Sequence, residues 1–446
     1  MHADPHRRAG GPLMHAFRPR ADAPIGPTAL PPRGPAYAQP RAAEAVSGRM
    51  SEVLSALSVI LDAAERRPPG FAVRCAYLAG RMAAELGLAD GRRADLVMAG
   101  LLVDVGTPGP MSEGAAAEAA RRGSRARPVD LTLPPHLSRP TRATAAIATM
   151  GLSESVARAA VEAGERWDGR GPTGMRRDHI SQDGRVLGLA AMVAGLGHAP
   201  PPVDVDRAVR SERGRSLDPG LADVVLGIGR AGLWAELADA SLSSALLALE
   251  PPDRVRWVHD DRLDAIAVTF ADIVDTRTPR MGRHGRRVSG FAVRTGRDLG
   301  LDPSLLVDLR RAALLHDVGK LLVPISYLEK PGQLTDLERR IIDEHARTSA
   351  AVLGRSRALA RLAPLVVAHH QRLDGNGMFP TLDDEAMAMA ARVLALSDRY
   401  EAMTAERPYR SLLSPAQVWS ILDEVVGEPM ARIALRALRR AVVEAP

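Results

Sequence analysis

The sequence lacks several features, and each shortage excludes a class of protein. It has one cysteine, Cys75, in 446 residues, which excludes an intrachain disulfide framework and fits a reducing compartment. Aromatic residues make up only 3%, so the core must be built from aliphatic side chains, as in many helical proteins. We find no run of about 18 uncharged apolar residues and no apolar signal segment near the start. We therefore expect a cytoplasmic protein without membrane insertion.

The chain is basic but has no dense basic segment. Its 59 Lys and Arg residues exceed its 53 Asp and Glu residues, giving a net charge of +6. The arginines are scattered among acidic residues and are not interleaved with aromatic ones, so we do not expect a nucleic-acid partner. A modest positive charge would still attract a phosphorylated ligand.

The chain reads as an arm followed by two copies of one helical unit. Residues 1–44 are rich in Pro, Arg, Gly and Ala without a period and are predicted to be disordered. Residues 85–106 match 298–319 at an offset of 213, and residues 165–171 match 371–377 at an offset of 206. With the joint near Pro251-Pro252, the predicted domains are 45–250 and 251–446, and the predicted class is all-α.

The two copies differ in one set of polar residues. The second copy has His284, His316, Asp317, His369, His370 and Asp398, where the first has Phe71, Val103, Asp104, Ala163, Gly164 and Ala191. Only the aspartate at position 104 survives in the first copy. The joint loss suggests that the polar residues of the second copy act together.

Helix signals place these residues at helix ends or on apolar faces. Asp302-Pro303 is a start signal and Gly319 a stop signal for a helix that ends in His316-Asp317. The pattern also predicts a helix over 260–275, one opened by His284, a capping box over Thr335–Glu338 before His345, and one from Arg357 to His369.

Five histidines and two aspartates thus form a candidate metal site. Imidazole and carboxylate donors without cysteine suit iron, manganese, zinc or cobalt. Seven ligands exceed one ion's usual share, so we predict two ions bridged by Asp317, a centre that activates water and clamps phosphate oxygens. The alternative is that each residue is an ordinary polar group with its own hydrogen-bond partners. That alternative is plausible for any single residue but improbable for all seven together. The members are His284, His316, Asp317, His345, His369, His370 and Asp398.

Three basic residues are candidates for binding substrate phosphate. Lys320 is one of only two lysines in the chain, so a compact point charge beside His316-Asp317 suggests a phosphate contact. The alternative is a charge that complements the dipole at a helix end. Arg407 and Arg410 are further candidates, although solvated arginines would give the same pattern.

Residues 260–425 resemble the HD-GYP family of the HD phosphohydrolase superfamily. The resemblance rests on the segments His316–Lys320, His369–Gly377 and Asp398–Thr404, followed by Arg407-Pro408-Tyr409-Arg410. It implies an all-helical fold, a centre of two divalent ions, often iron or manganese, and hydrolysis of cyclic di-GMP in bacterial signalling. The seven donors align with the family's metal ligands, and Lys320 aligns with its lysine. The resemblance also implies catalytic roles for Asp317 and Lys320 and a substrate contact at Asp374-Gly375.

The sequence departs from the family at three places. The family's Gly-Tyr-Pro loop reads Gly377-Met378-Phe379-Pro380, and Gln371 replaces a common glutamate. Arg280 stands where some members have a glutamate for a third metal, which favours two ions. Alternative functions are a weakly catalytic nucleotide sensor or a phosphohydrolase of another nucleotide. A homodimer and a signalling partner at the 377–380 loop stay open, and the first copy, a degenerate relative, could serve packing, dimerisation or sensing.

Overall fold

The computed structural model describes residues 48–106, 139–197, 201–277, 282–330, 332–374, 382, 384–405 and 413–443. Within these ranges the chain is helical apart from one two-stranded ribbon, and the all-α prediction is confirmed. The predicted arm, 1–44, lies outside the described residues. None of the helices in the described ranges combines the length and the apolar character that crossing a bilayer requires.

The first copy contains ten described α-helices, and a π-helical turn, Gly229–Leu233, lies between its eighth and ninth. The helix α2 packs against α3 and α6. The helices are α1 (Met50–Ala64), α2 (Phe71–Glu85), α3 (Asp90–Leu101), α4 (Arg139–Thr149), α5 (Glu154–Glu162), α6 (Gln182–Ala194), α7 (Pro202–Glu212), α8 (Pro219–Ile228), α9 (Trp234–Leu237) and α10 (Leu242–Ala248).

The second copy repeats this arrangement, with α12 packed against α13, α18 and α20. Ala312, Ala313 and Leu315 on α13 are buried, as the apolar spacing of that helix predicts. The helices are α11 (Asp260–Arg277), α12 (His284–Asp298), α13 (Pro303–Leu315), α14 (Ile325–Leu328), α15 (Asp336–Asp343), α16 (His345–Leu353), α17 (Ala363–Ala368), α18 (Glu385–Thr404), α19 (Pro415–Val425) and α20 (Pro429–Val443).

Side-chain caps fix two of the predicted helix starts. The carboxylate of Asp302 accepts a hydrogen bond from the Ser304 main-chain N–H at 2.8 Å at the start of α13. Thr335 and Glu338 form the predicted capping box at the start of α15. Each cap fixes the start of a helix, and candidate metal ligands follow the end of that helix.

Two predicted boundaries are wrong. Helix α13 ends at Leu315, and Gly319 lies in a 3₁₀ turn, Val318–Leu322, instead of stopping the helix. The glycine is needed for close approach, because a Cβ atom there would lie 2.2 Å from the His345 carbonyl oxygen.

The helix predicted from Arg357 is also shorter than expected. A 3₁₀ turn, Ala360–Leu362, precedes α17, which has Pro364 in its first turn. A proline ring clashes with the carbonyl of the residue four positions earlier in a continuous helix, but it fits a first turn. The chain therefore begins a new short helix before His369.

The two copies pack against each other reciprocally. The strands β1 (Gly48–Arg49) and β2 (Trp257–Val258) precede the equivalent helices α1 and α11 and pair antiparallel. The helix α1 packs against α16 of the second copy, and α11 packs against α4 of the first. Because α4 and α16 begin 206 residues apart, at the offset of the repeat, these contacts are equivalent. The two copies therefore meet as isologous partners do.

Candidate metal centre

The second copy brings all seven predicted donors to one place. His284 begins α12, His316 and Asp317 follow α13, and His345 begins α16. His369 and His370 follow α17, and Asp398 lies within α18. The ends of four helices and one side of a fifth therefore surround the site.

The side chains fall into two groups. Within each group, the donor atoms all lie within 4.8 Å of one another. We call them position one and position two. Position one is formed by His284, His316 and Asp398, and position two by His345, His369 and His370. A further group of His316, Asp317 and His369 lies across the two. This arrangement could hold two ions, as predicted.

Asp317 lies between the two positions and presents one oxygen to each. Its Oδ2 atom is 3.4 Å from the Nε2 atoms of both His284 and His316. Its Oδ1 atom is 3.0 Å from Nε2 of His345. The carboxylate therefore has the geometry of a bridging ligand. Lys320 places its ammonium 2.6 Å from Oδ2, so this lysine holds the bridging carboxylate.

Three histidines are oriented by the helix turns that precede them. In each, Nδ1 faces the main-chain carbonyl of the residue three positions earlier, and only a protonated ring nitrogen can donate to a carbonyl. That contact leaves Nε2 as the donor atom that faces the site. The pairs are His316 with Ala313 (2.8 Å), His345 with Ile342, and His369 with Val366 (2.6 Å).

His284 is oriented by a carboxylate instead. Its Nδ1 contacts Oε2 of Glu401, while its Nε2 lies 3.2 Å from Oδ1 of Asp398. Glu401 lies three residues after Asp398 on α18, so both carboxylates share one side of that helix. The sequence analysis gave Glu401 no role, although this spacing from a predicted ligand was the available signal.

The donor set fits divalent cations. The Nε2 atoms of His284 and His316 and the Oδ1 atom of Asp317 are buried and make no hydrogen bond within the described residues. Such atoms are costly to bury unless a ligand satisfies them. The imidazoles of position one are at most 2% exposed, whereas His370 is 35% exposed. Position two is therefore open to solvent at His370, while its other two imidazoles are as buried as those of position one.

The carboxylates of the site are held in their ionised form. Burial acts to raise the pKa of Asp317, but His316 and Lys320 outweigh it and hold that pKa well below its usual range. Burial of Asp398 is likewise outweighed by the adjacent imidazoles of His284 and His316, and its pKa is also well below normal. Both groups are therefore ready to bind cations.

Two imidazoles of position two, those of His369 and His370, are held neutral. Burial, reinforced by neighbouring imidazoles, lowers the pKa of His369 well below its usual value and that of His370 to about 4. His284 behaves differently: burial acts to lower its pKa, but the carboxylates of Asp317, Asp398 and Glu401 raise it well above the usual value. A cation entering position one would therefore displace a proton from His284.

Most residues predicted to contact substrate lie outside the described ranges. These are Gly375, Arg407 and Arg410. Arg280, which bears on the number of ions, and the 377–380 loop also lie outside the described ranges. Asp374 is described, and its carboxylate accepts a hydrogen bond from Nε of Arg372 at 3.0 Å. Its role in substrate binding stays a prediction.

The first copy shows what replaces the donors. Asp104, the counterpart of Asp317, accepts two hydrogen bonds from Arg67 at 2.7 and 2.8 Å. The Arg67 guanidinium also lies over the ring of Phe71, the counterpart of His284, at 4.7 Å. A protein cation thus satisfies this carboxylate, and within the described residues of this copy no metal-binding group is found.

Comparison with known proteins assigns the fold to a family. The HD domain family matches residues 55–196 and 268–428, one match in each predicted copy. The chain belongs to the HD domain family. The recognition of an HD-GYP-type chain from its motifs is thereby confirmed, while the precise domain boundaries stay a prediction.

Similar proteins match either most of the chain or a part of it. A 3′3′-cGAMP-specific phosphodiesterase of Vibrio cholerae is 26% identical over 439 residues, a match that spans 88% of this chain and 94% of that protein. A cyclic di-GMP phosphodiesterase of Thermotoga maritima is 32% identical over 172 residues, which are 38% of this chain and 47% of that protein.

A solved structure has the same fold. The crystal structure of the cyclic GMP-AMP-specific phosphodiesterase V-cGAP3 of V. cholerae aligns with a TM-score of 0.66 at 24% identity. The alignment covers 90% of this chain and 99% of that one. The predicted HD-type architecture is thereby confirmed.

Proposed function

We propose that this chain is a metal-dependent phosphodiesterase that hydrolyses a cyclic dinucleotide. One observation carries the proposal: seven donor side chains on or next to five helices meet in the second copy, and three of their buried donor atoms make no hydrogen bond within the described residues. Two adjacent cations bound by such a set would activate water and stabilise the charge that develops on a phosphodiester.

The protein's own residues would organise this chemistry. Asp317 would bridge the two positions, and Lys320 would hold its Oδ2 atom in place from 2.6 Å. Lys320 would also add positive charge beside the phosphoryl oxygens, where preorganised charge lowers the barrier. The exposed edge of His370 would lie beside the bound phosphate, since position two faces solvent.

The substrate is proposed from two sources. The HD-GYP motifs imply cyclic di-GMP, and the Thermotoga relative, matched over 38% of this chain, is named for that nucleotide. The Vibrio relative that spans both copies is named for 3′3′-cGAMP. Both nucleotides present two phosphodiesters in one ring, so we propose this class. As in the resemblance, we propose iron or manganese as the ions.

The test is turnover of both nucleotides by protein purified without oxygen and supplied with Fe²⁺ or Mn²⁺. The expected result is release of linear dinucleotide or mononucleotides, and loss of that activity on chelation. Hydrolysis of neither nucleotide by protein that holds both ions would contradict the proposal. Binding without turnover would favour the nucleotide-sensing alternative.

A further inference from the structure

The two cation positions differ in their chemistry. Position one combines two imidazoles with the carboxylate oxygens of Asp398 and Asp317, and its imidazoles are almost fully buried. Position two offers three imidazoles and a single oxygen of Asp317, and it opens to solvent at His370. A hard cation such as Mn²⁺ prefers carboxylate oxygen over imidazole. Position one should therefore bind Mn²⁺ more tightly.

Glu401 adds to this difference because it lies behind position one alone. The residue is 1% exposed, and its Oε2 atom contacts Nδ1 of His284. Its other oxygen accepts a hydrogen bond from Nε of Arg287 at 2.6 Å, which fixes the carboxylate between the two side chains. Arg287 is one turn after His284 on α12, so the three groups form a chain across α12 and α18.

The other oriented histidines have no such partner. His316, His345 and His369 place Nδ1 against neutral main-chain carbonyls. A carboxylate behind an imidazole makes that imidazole a more basic ligand and adds negative charge near the cation. Among these four histidines only His284 has a carboxylate behind it. The fifth, His370, has the exposed Asp343 carboxylate 3.6 Å from its Nδ1 atom, beyond hydrogen-bond distance, so only Glu401 is a buried carboxylate bonded to the Nδ1 atom of a ligand.

We propose that Glu401 is a positioning residue that orients His284 and makes position one the tighter of two unequal cation positions. The inference rests on the proposed function, because it assumes that the seven donors bind two ions. It requires that loss of the Glu401 charge weaken one binding step and leave the other nearly unchanged.

The experiment is calorimetric titration of metal-free protein with Mn²⁺ alone. In Glu401→Gln, which keeps the size of the side chain but removes its charge and one of its two acceptor oxygens, the affinity of the tighter binding step should weaken by about 10–100-fold. The weaker step should change by less than about 3-fold. His370→Ala shows which binding step belongs to which position. It removes a donor of position two, so it should weaken the step that Glu401→Gln leaves nearly unchanged.

Glu428→Gln is the matched control. Glu428 also pairs with an arginine of the second copy, with Nε of Arg392 at 2.7 Å, and its other bonds go to the main-chain N–H groups of Met430 and Ala431. Its loss should leave both Mn²⁺ steps within about 3-fold of the wild-type values, since it orients none of the ligands.

A second variant separates charge from structure. Arg287 is 42% exposed, and Arg287→Gln leaves the Glu401 charge with one fewer compensating group. This variant should bind the first Mn²⁺ no more weakly than the wild type does. An equal loss in Arg287→Gln and Glu401→Gln would overturn the inference, as would an unchanged Glu401→Gln isotherm. A wild-type protein that binds neither Mn²⁺ nor, in the same titration without oxygen, Fe²⁺ would instead overturn the proposed function itself.

Discussion

Replacing Asp317 by Asn should remove activity, because this one carboxylate faces both cation positions. Its oxygens lie 3.0 to 3.4 Å from the Nε2 atoms of three histidines and 2.6 Å from the Lys320 ammonium. Asparagine keeps the shape but removes the charge and one of the two acceptor oxygens. Polarisation of a phosphoryl oxygen by a bound metal contributes several kcal/mol, and a loss of about 4 kcal/mol slows turnover about 1,000-fold.

The repeat supplies the control for this variant. Asp104→Asn makes the same chemical change at the equivalent position of the first copy, where the carboxylate binds Arg67. That variant should lose about 1–2 kcal/mol of stability, since Arg67 is partly exposed, but its turnover should stay within about 3-fold of wild type. Turnover of cyclic di-GMP and 3′3′-cGAMP is measured for both variants with metal content determined in parallel. Near wild-type turnover by Asp317→Asn would refute the bridging role.

Three further predictions concern single residues. Gly319→Ala should lower stability by about 1–3 kcal/mol and weaken Mn²⁺ binding, because the new Cβ would press on the His345 carbonyl; unchanged urea unfolding and titration curves would contradict this. His370→Ala should fold normally, since that side chain is 35% exposed, and should retain one ion per chain; retention of both would exclude His370 as a ligand. Burial raises the pKa of Asp62 to about 7, so the folded protein holds this proton more tightly than the unfolded chain does. The free energy of unfolding should therefore fall by up to about 1.4 kcal/mol per pH unit as the pH rises from about 4 to 7. Asp62→Asn should remove that part of the slope, and an unchanged slope would count against a buried proton.

The helices and the donor set could be predicted because both leave signals in the sequence. Asp302-Pro303 and Thr335–Glu338 mark helix starts through local hydrogen bonding, which needs no knowledge of distant residues. Five of the seven donors stood out because the first copy keeps the apolar frame and lacks them, namely His284, His316, His369, His370 and Asp398. The structure brings those donors together, while their role as ligands awaits experiment.

Other features depend on distant contacts and left no local signal. The strands β1 and β2 have two residues each, too few for any period, and they pair across more than 200 residues of sequence. Gly319 was read as a helix stop because sequence shows a missing Cβ but not the His345 carbonyl that approaches it. The role of Glu401 depends on which ring nitrogen of His284 faces the site, which only the fold decides.

The most direct test of the account is the metal content of the protein. Elemental analysis of wild-type chain, purified without oxygen and dialysed against a trace of Mn²⁺ or Fe²⁺, should find two ions per chain. The same analysis of a variant with His284 and His345 both replaced by alanine should find fewer than one. Wild-type chain without bound metal, or a double variant that keeps both ions, would contradict the claim that these side chains form a two-cation centre.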